Sequence, residues 1–275
     1  MGNRLQPCAR LCGRWVLRTA RAVVLGSLAL LAGLPTTAQP TNDELAAKAT
    51  DPTASLMSFQ LNDWYTARLH GTSGSANQIV LRAAIPFTLL EQNHIFRVTQ
   101  PYATSSPSGA TGLVDTGIFD LVTFNQPWGR WGVGIAGTMP TGANGLSTDK
   151  WTAGPALGFV DSSAKTTNWG LFAQSFFSFA GDATAPEVRL INLQPILGHQ
   201  LGEGRSISLG NSALVYDLVK SRWSSLMLTA NYGQVLSFWG HMWRPNVEAG
   251  YDFNNDFGNQ RWVVRAGITL LVPSP

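Results

Sequence analysis

The chain is short of cysteine, of charge and of long apolar runs, and each shortage excludes a class of protein. Its two cysteines, Cys8 and Cys12, lie within the first 38 residues. Beyond that leader there is no disulfide framework, thiol nucleophile or thiolate metal site. Charged residues make up 13% of the chain, well under the roughly 25% usual in soluble domains. The longest apolar run, Ala22 to Leu34, covers 13 residues, whereas a membrane-spanning helix needs about 20.

The leader itself is informative. Five arginines (Arg4, Arg10, Arg14, Arg18 and Arg21) precede the apolar run, and small residues ending Thr36-Thr37-Ala38 follow it. This is the layout of a cleavable secretory signal over residues 1–38. No cysteine follows the run, which argues against a lipid anchor. The formal charge of +3 and the pI near 9.1 come from the same segment. Without it, 14 basic residues face 16 acidic ones, a net of −2, so the basic pI gives no reason to expect a nucleic-acid partner.

What is abundant is glycine (28) and tryptophan (10). Residues 39–53 contain the one convincing helical stretch, with Thr41 or Asn42 as cap, Asp43 and Glu44 in the first turn, Lys48 in the last, and Asp51-Pro52 as the stop. From Ala54 to the end, over residues 54–275, the pattern changes to short strands. Ile79, Leu81, Ala83, Ile85 and Phe87 share one face, with Gln78, Arg82 and Ala84 on the other. Trp131, Val133 and Ile135 oppose Arg130, Gly132, Gly134 and Ala136, while Trp151, Ala153, Pro155, Leu157 and Phe159 oppose Lys150, Thr152, Gly154, Ala156 and Gly158. Trp169, Leu171 and Ala173 oppose Gly170, Phe172 and Gln174, and Trp262, Val264, Ala266, Ile268 and Leu270 oppose Val263, Arg265, Gly267, Thr269 and Leu271. Charge and glycine share one face and bulky apolar groups the other, because successive strand residues point to opposite sides.

A sandwich core would have to bury these arginines at several kcal/mol each if unpaired. A barrel with a hydrated lumen and a lipid-facing outside leaves them solvated, or pairs them with Asp63, Asp115, Asp120 or Glu248. Tryptophans 128, 131, 151, 169, 223, 239, 243 and 262 stand near strand ends, where membrane interfaces favour them. Turn signals fall near 71–75, 89–92, 105–112, 125–127, 141–149, 161–166, 181–186, 200–204, 220–221, 233–234 and 254–258. These eleven turns predict about 12 antiparallel strands, an all-β transmembrane barrel with a short N-terminal helix beside or inside it. Strand spacing is least regular between Ser206 and Gln234.

Two stretches carry a family resemblance. ELAAKATDPTASLMSFQLND, with Asp51-Pro52, Gln60 and Asn62, and the closing INLQPILGHQLGEGRSIS, Arg222-Trp223 and VRAGITLLVP are similar to the MetA-pathway-of-phenol-degradation family of bacterial outer-membrane proteins. SSLMLTANYG stands after Trp223 where that family has a Pro-Leu-Gly run. The resemblance implies a barrel that lets hydrophobic or aromatic compounds cross the outer membrane, with membrane lipid and small hydrophobic solutes as its partners.

Catalytic and metal patterns are thin. The four histidines, His70, His94, His199 and His241, read as loop or interface residues, and no Gly-x-Ser-x-Gly or His-Glu-x-x-His spacing accompanies them. Asp252, Asn254 and Asp256 suggest a calcium loop but lack the bidentate acid further on, so they read as a polar turn. No cofactor is expected. Gly132 and Gly134 precede no helix and read as wall-thinning residues, or as room for a plug. The expected lumen-lining residues are Arg82, Arg130, Gln174, Gln194, Glu248 and Arg265, with Asp120 as a further candidate. The expected function is a passive outer-membrane channel. The alternatives are a structural or adhesive barrel without transport and a membrane-embedded hydrolase centred on His241. The chain closes on Val272-Pro273-Ser274-Pro275, read as a short extension past the last strand.

Overall fold

A computed structural model describes residues 40–272. The secretory leader and the Pro-Ser-Pro extension expected from the sequence lie outside the described residues.

The described chain opens with helix α1 (Asn42–Ala49). Thr41 caps it in a reciprocal box: the Thr41 hydroxyl accepts from the Glu44 N–H, and the Glu44 carboxylate accepts from the Thr41 N–H. Thr50 Oγ1 donates to the Ala47 carbonyl at the other end. An isolated helix of this length is marginal in water. Leu45 and Ala46 hold it in place by packing on Leu56, Val235 and Leu271.

The strands follow in order: β1 (Met57–Leu69), β2 (Ala76–Leu89), β3 (Gln92–Ser105), a two-residue β4 (Gly112–Leu113), β5 (Thr116–Gln126), β6 (Gly129–Met139), β7 (Lys150–Asp161), β8 (Thr167–Gly181), β9 (Arg189–Gly202), β10 (Arg205–Ser208), β11 (Ala213–Asp217), β12 (Arg222–Gln234), a short β13 (Leu236–Phe238), β14 (His241–Asp252) and β15 (Gln260–Val272). Neighbours pair antiparallel throughout, and β1 bonds both β2 and β15, so the sheet closes on itself. β10 and β11 both lie between β9 and β12 and are two halves of one wall strand. The wall is therefore a 12-stranded antiparallel barrel. Closure pairs the strand edges around the wall except beside the break between β10 and β11, and such closure is the condition for spanning hydrocarbon with strands.

The two ends differ. Connections at 90–91, 127–128, 162–166, 203–204 and 235–240 are short, while those at the opposite end include 106–115 and 140–149. The turn expected at 233–234 is displaced: Gly233 and Gln234 complete β12, and the chain reverses through Val235 and β13. The irregular spacing between Ser206 and Gln234 has a structural cause. Between β10 and β11, Leu209–Ser212 leaves the wall and dips into the lumen, so no period-2 pattern crosses it.

The outer face is apolar, with Leu81, Ile135, Leu157 and Val264 about half exposed or more. Aromatic clusters flank it: Tyr216 with Trp223 and Tyr251 with Trp262 at the long-loop end, Phe124 with Trp131 and Phe159 with Trp169 at the short-turn end. Such belts are what interfacial Trp and Tyr produce around a lipid-facing band.

Inside, the lumen is only half polar. On the inner face of β3 to β9, Ile95, Phe119, Leu121, Ala136, Ala156, Val160, Phe172 and Ile196 form an apolar cluster, with Phe119 and Phe172 edge to face at 5.2 Å. The inward glycines make room for it. A Cβ on Gly158 would stand 3.0 Å from the Phe172 ring and 3.4 Å from the Thr53 methyl of the N-terminal segment. Polar side chains are concentrated on the other side of the barrel, where β1, β2, β12, β14 and β15 face inward.

Candidate functional site: the polar half of the lumen

β1 turns Ser58, Gln60, Asn62 and Trp64 inward, and register carries the same face around the barrel: Gln60 sits opposite Arg82 of β2, Trp64 opposite Arg265 of β15, and Arg265 opposite Glu248 of β14. Arg265 donates to Glu248 Oε1 at 2.6 Å, both side chains being nearly sealed from solvent. The second carboxylate oxygen, Oε2, accepts from the Asn211 backbone at 3.1 Å, from the Asn211 amide at 3.0 Å and from Asn231 at 3.4 Å. Four donors on one carboxylate satisfy it as fully as a buried anion requires.

Asn211 sits in the Leu209–Ser212 dip and ties the network to β2, its Oδ1 accepting from Arg82 Nη1 at 3.1 Å. Gly210 occupies the left-handed region at φ +55°, and a Cβ there would strike the Glu248 carboxylate. A glycine thus lets the dip approach its anchor. The dip is tied at its far end as well: Ser212 Oγ accepts from the Thr229 N–H at 2.9 Å and donates to the Leu209 carbonyl at 2.7 Å. Trp64 lies beneath two guanidiniums, with Arg265 at 4.6 Å and Arg82 at 5.6 Å from its ring centre, within cation–π range.

The N-terminal segment closes the short-turn end. Arg130 Nη1 donates to the Thr53 carbonyl at 2.9 Å and lies 3.5 Å from the Asp51 carboxylate. Asp51 also accepts from the Thr53 N–H at 2.7 Å and hydroxyl at 2.6 Å. Burial pushes the Asp51 carboxyl above its ordinary range, outweighing the Thr53 hydroxyl, the Arg130 charge and the Thr53 amide that favour its ionised form. The Asp43 carboxylate receives the Gly204 N–H at 2.5 Å, and the Asn168 amide reaches Thr50 Oγ1 at 3.4 Å. Between this segment and the wall lies a cavity of about 120 Å³ bordered by Lys48–Asp51, Gln60, Arg82, Arg97, Arg244 and Glu248 among others.

Each expected lumen residue can now be placed. Arg82, Gln194, Glu248 and Arg265 gather around the dip, Gln194 Nε2 reaching the Gly210 carbonyl at 3.4 Å. Arg130 faces inward at the short-turn end with the N-terminal segment, and Gln174 faces inward on β8, opposite Ala156 and Asn192, away from the ion pair. The acids divide differently from the expectation that they pair with the arginines. Asp120 lies opposite Phe96 and Ile135 on the outer face, where His94 Nδ1 stands 2.9 Å from its carboxylate. Asp63, opposite Ile79 and Ala266, also points outward and is exposed. Asp115 lies in a long-end connection and clasps the next one, accepting from Thr148 N and Oγ1 at 2.8 and 2.7 Å and from Gly142 N at 3.1 Å. Strand parity decides Asp120 and Asp63, whereas Asp115 stands outside any strand. The histidines occupy strand ends: His70 Nε2 meets the Asp252 carbonyl at 2.9 Å, His199 bonds Thr167, and His241 opens β14 exposed.

Sequence reasoning missed Trp64, Arg97, Asn211 and the inward role of Arg244. Trp64 and Arg97 share parity with Asn62 and Thr99 and were legible by alternation. Asn211 was not, because it stands outside any strand.

No family model and no curated protein matches the chain. Among solved structures, the COG4313 outer membrane channel from Pseudomonas putida F1 is similar over 81% of this chain and 98% of its own, with a TM-score of 0.61 at 12% identity. Outer membrane phospholipase A from Escherichia coli, at a TM-score of 0.41 and 9% identity, covers 86% of this chain and 99% of its own. A mutant Rh. blastica porin, at 0.32 and 8%, covers 79% and 99%. At such identities the first likeness bears on the fold alone. This chain has the fold of an outer-membrane β-barrel.

Proposed function

We propose that this chain is an outer-membrane channel for small hydrophobic or aromatic molecules, held closed by its N-terminal segment, and that it is a member of the MetA-pathway-of-phenol-degradation family. The cavity between the N-terminal segment and the wall carries this reading. It is bounded on one side by Lys48–Asp51 of a docked segment and on the other by the wall, so moving that segment enlarges the space between them. The segment is held by one small apolar contact set, a few hydrogen bonds and the Arg130–Asp51 pair, an attachment compatible with release. The exposed apolar outer face and its aromatic flanks support residence in outer-membrane lipid.

The test is single-channel recording in planar bilayers with the native barrel and with Leu45→Glu, which places a charge in the contact with Leu56, Val235 and Leu271. The reading predicts small, infrequent openings for the native protein and a several-fold larger open probability for the variant. A barrel that inserts and passes no current in either form would instead be structural or adhesive.

A further inference from the structure

The lumen holds more positive charge than its acids balance. Glu248 is matched by Arg265, and Asp51 by Arg130. Three other guanidiniums border the same cavity: Arg82, Arg97 and Arg244. Among the described residues, none of the three has a carboxylate within 4.0 Å.

Arg82 is met by neutral groups, Thr99 at 3.3 Å and Asn211 at 3.1 Å. Arg244 is 6% exposed and donates from Nη2 to Asn231 at 3.1 Å and Ser206 at 3.2 Å, which leaves its buried Nε–H without a partner among the described residues. Arg97 makes no hydrogen bond among the described residues; its guanidinium lies 4.2 Å from the centre of the Phe119 ring. Stacking covers the face of that group and leaves its N–H edge free, the part that binds carboxylates in a fork. Arg82 and Arg97 are diagonal neighbours on the inner face of β2 and β3, since Arg82 pairs with Thr99 and Ala84 with Arg97. Like charges this close, poorly shielded from one another, are costly in the empty state and become favourable once an anion sits between them.

We infer that the cavity between the N-terminal segment and the wall is a binding site for a small organic carboxylate, with Arg97, Arg82 and Arg244 as its anion-holding groups. This deepens the channel reading by naming the chemical class of its solute, and so rests on that reading for its role in transport, although the binding itself is independent of it.

The experiment is calorimetric titration of the detergent-solubilised barrel with benzoate, and with benzyl alcohol as its neutral counterpart. The site predicts saturable benzoate binding that weakens as salt rises, little or no binding of benzyl alcohol, a loss of about tenfold or more in affinity for Arg97→Gln, and partial recovery in Arg97→Lys. Variants that still shift mobility on boiling are folded, which keeps a negative result informative. No benzoate binding, equal binding of benzyl alcohol, or affinity unchanged by Arg97→Gln would overturn the inference. The two readings fail separately. Benzoate binding without conductance would remove the channel and keep the site. Conductance without benzoate binding would do the reverse.

Discussion

At the scale of single residues, parity on a strand decides whether a charge is an asset or a liability. Glu248 and Arg265 face each other across β14 and β15 and satisfy one another inside the barrel. Removing one partner of such a pair typically costs about 3–5 kcal/mol, because the other is left buried and unmatched. Asp63 has the opposite parity. It stands exposed near the middle of β1 on the outer face, between the outward side chains of Leu61 and Tyr65, and among the described residues it has no ion-pair partner. A carboxylate there is mildly unfavourable against lipid. Asp63→Leu is therefore expected to stabilise the barrel by about 1 kcal/mol, seen as a higher denaturant midpoint in unfolding from lipid vesicles. A lower midpoint would mean that Asp63 has a partner or a task on the outer surface.

At the scale of elements, the proposed role of the N-terminal segment as a small plug predicts that its docking responds to protonation. Burial raises the Asp51 carboxyl in the docked state, so the docked segment holds its proton more tightly than the released one. The resulting stabilisation is complete below the ordinary carboxylate range and is lost as pH rises through the raised value. Open probability in bilayers should accordingly increase as pH rises from that range. Asp51→Asn should flatten the dependence, and an equally steep profile in that variant would place the titrating group elsewhere. Helix α1 was readable from Thr41, the first-turn acids and Asp51-Pro52, since capping and dipole effects act within a few residues. Strands were readable wherever inward glycine or charge alternated with outward bulk, as in β6, β7 and β15. The β10–β11 break was not, because Leu209–Ser212 is held by Glu248 and Thr229, contacts remote in sequence. The same limit hid Asn211, the residue that joins Arg82 to Glu248.

For the whole molecule, the balance of apolar outside and partly polar inside is the reverse of a soluble domain, and the closed wall of 12 strands makes that reversal possible. The low charge content and abundant tryptophan pointed to this architecture, and the turn count gave its strand number. Alternation already set Phe172 on the face of Gly170 and Gln174, but one inward phenylalanine gave no sign that half of the lumen is apolar, because the cluster gathers Ile95, Phe119, Leu121 and Ile196 from strands that only the pairing registers bring together. The most direct test of the account is whether the outer face meets lipid. The envelope of cells expressing the full chain would be fractionated, and boiled and unboiled samples compared on a detergent gel. The account predicts a protein in the outer-membrane fraction whose mobility shifts on boiling as the closed barrel opens. A soluble protein with no shift would contradict it, since the exposed belt of leucine, isoleucine and tryptophan would then have to face water.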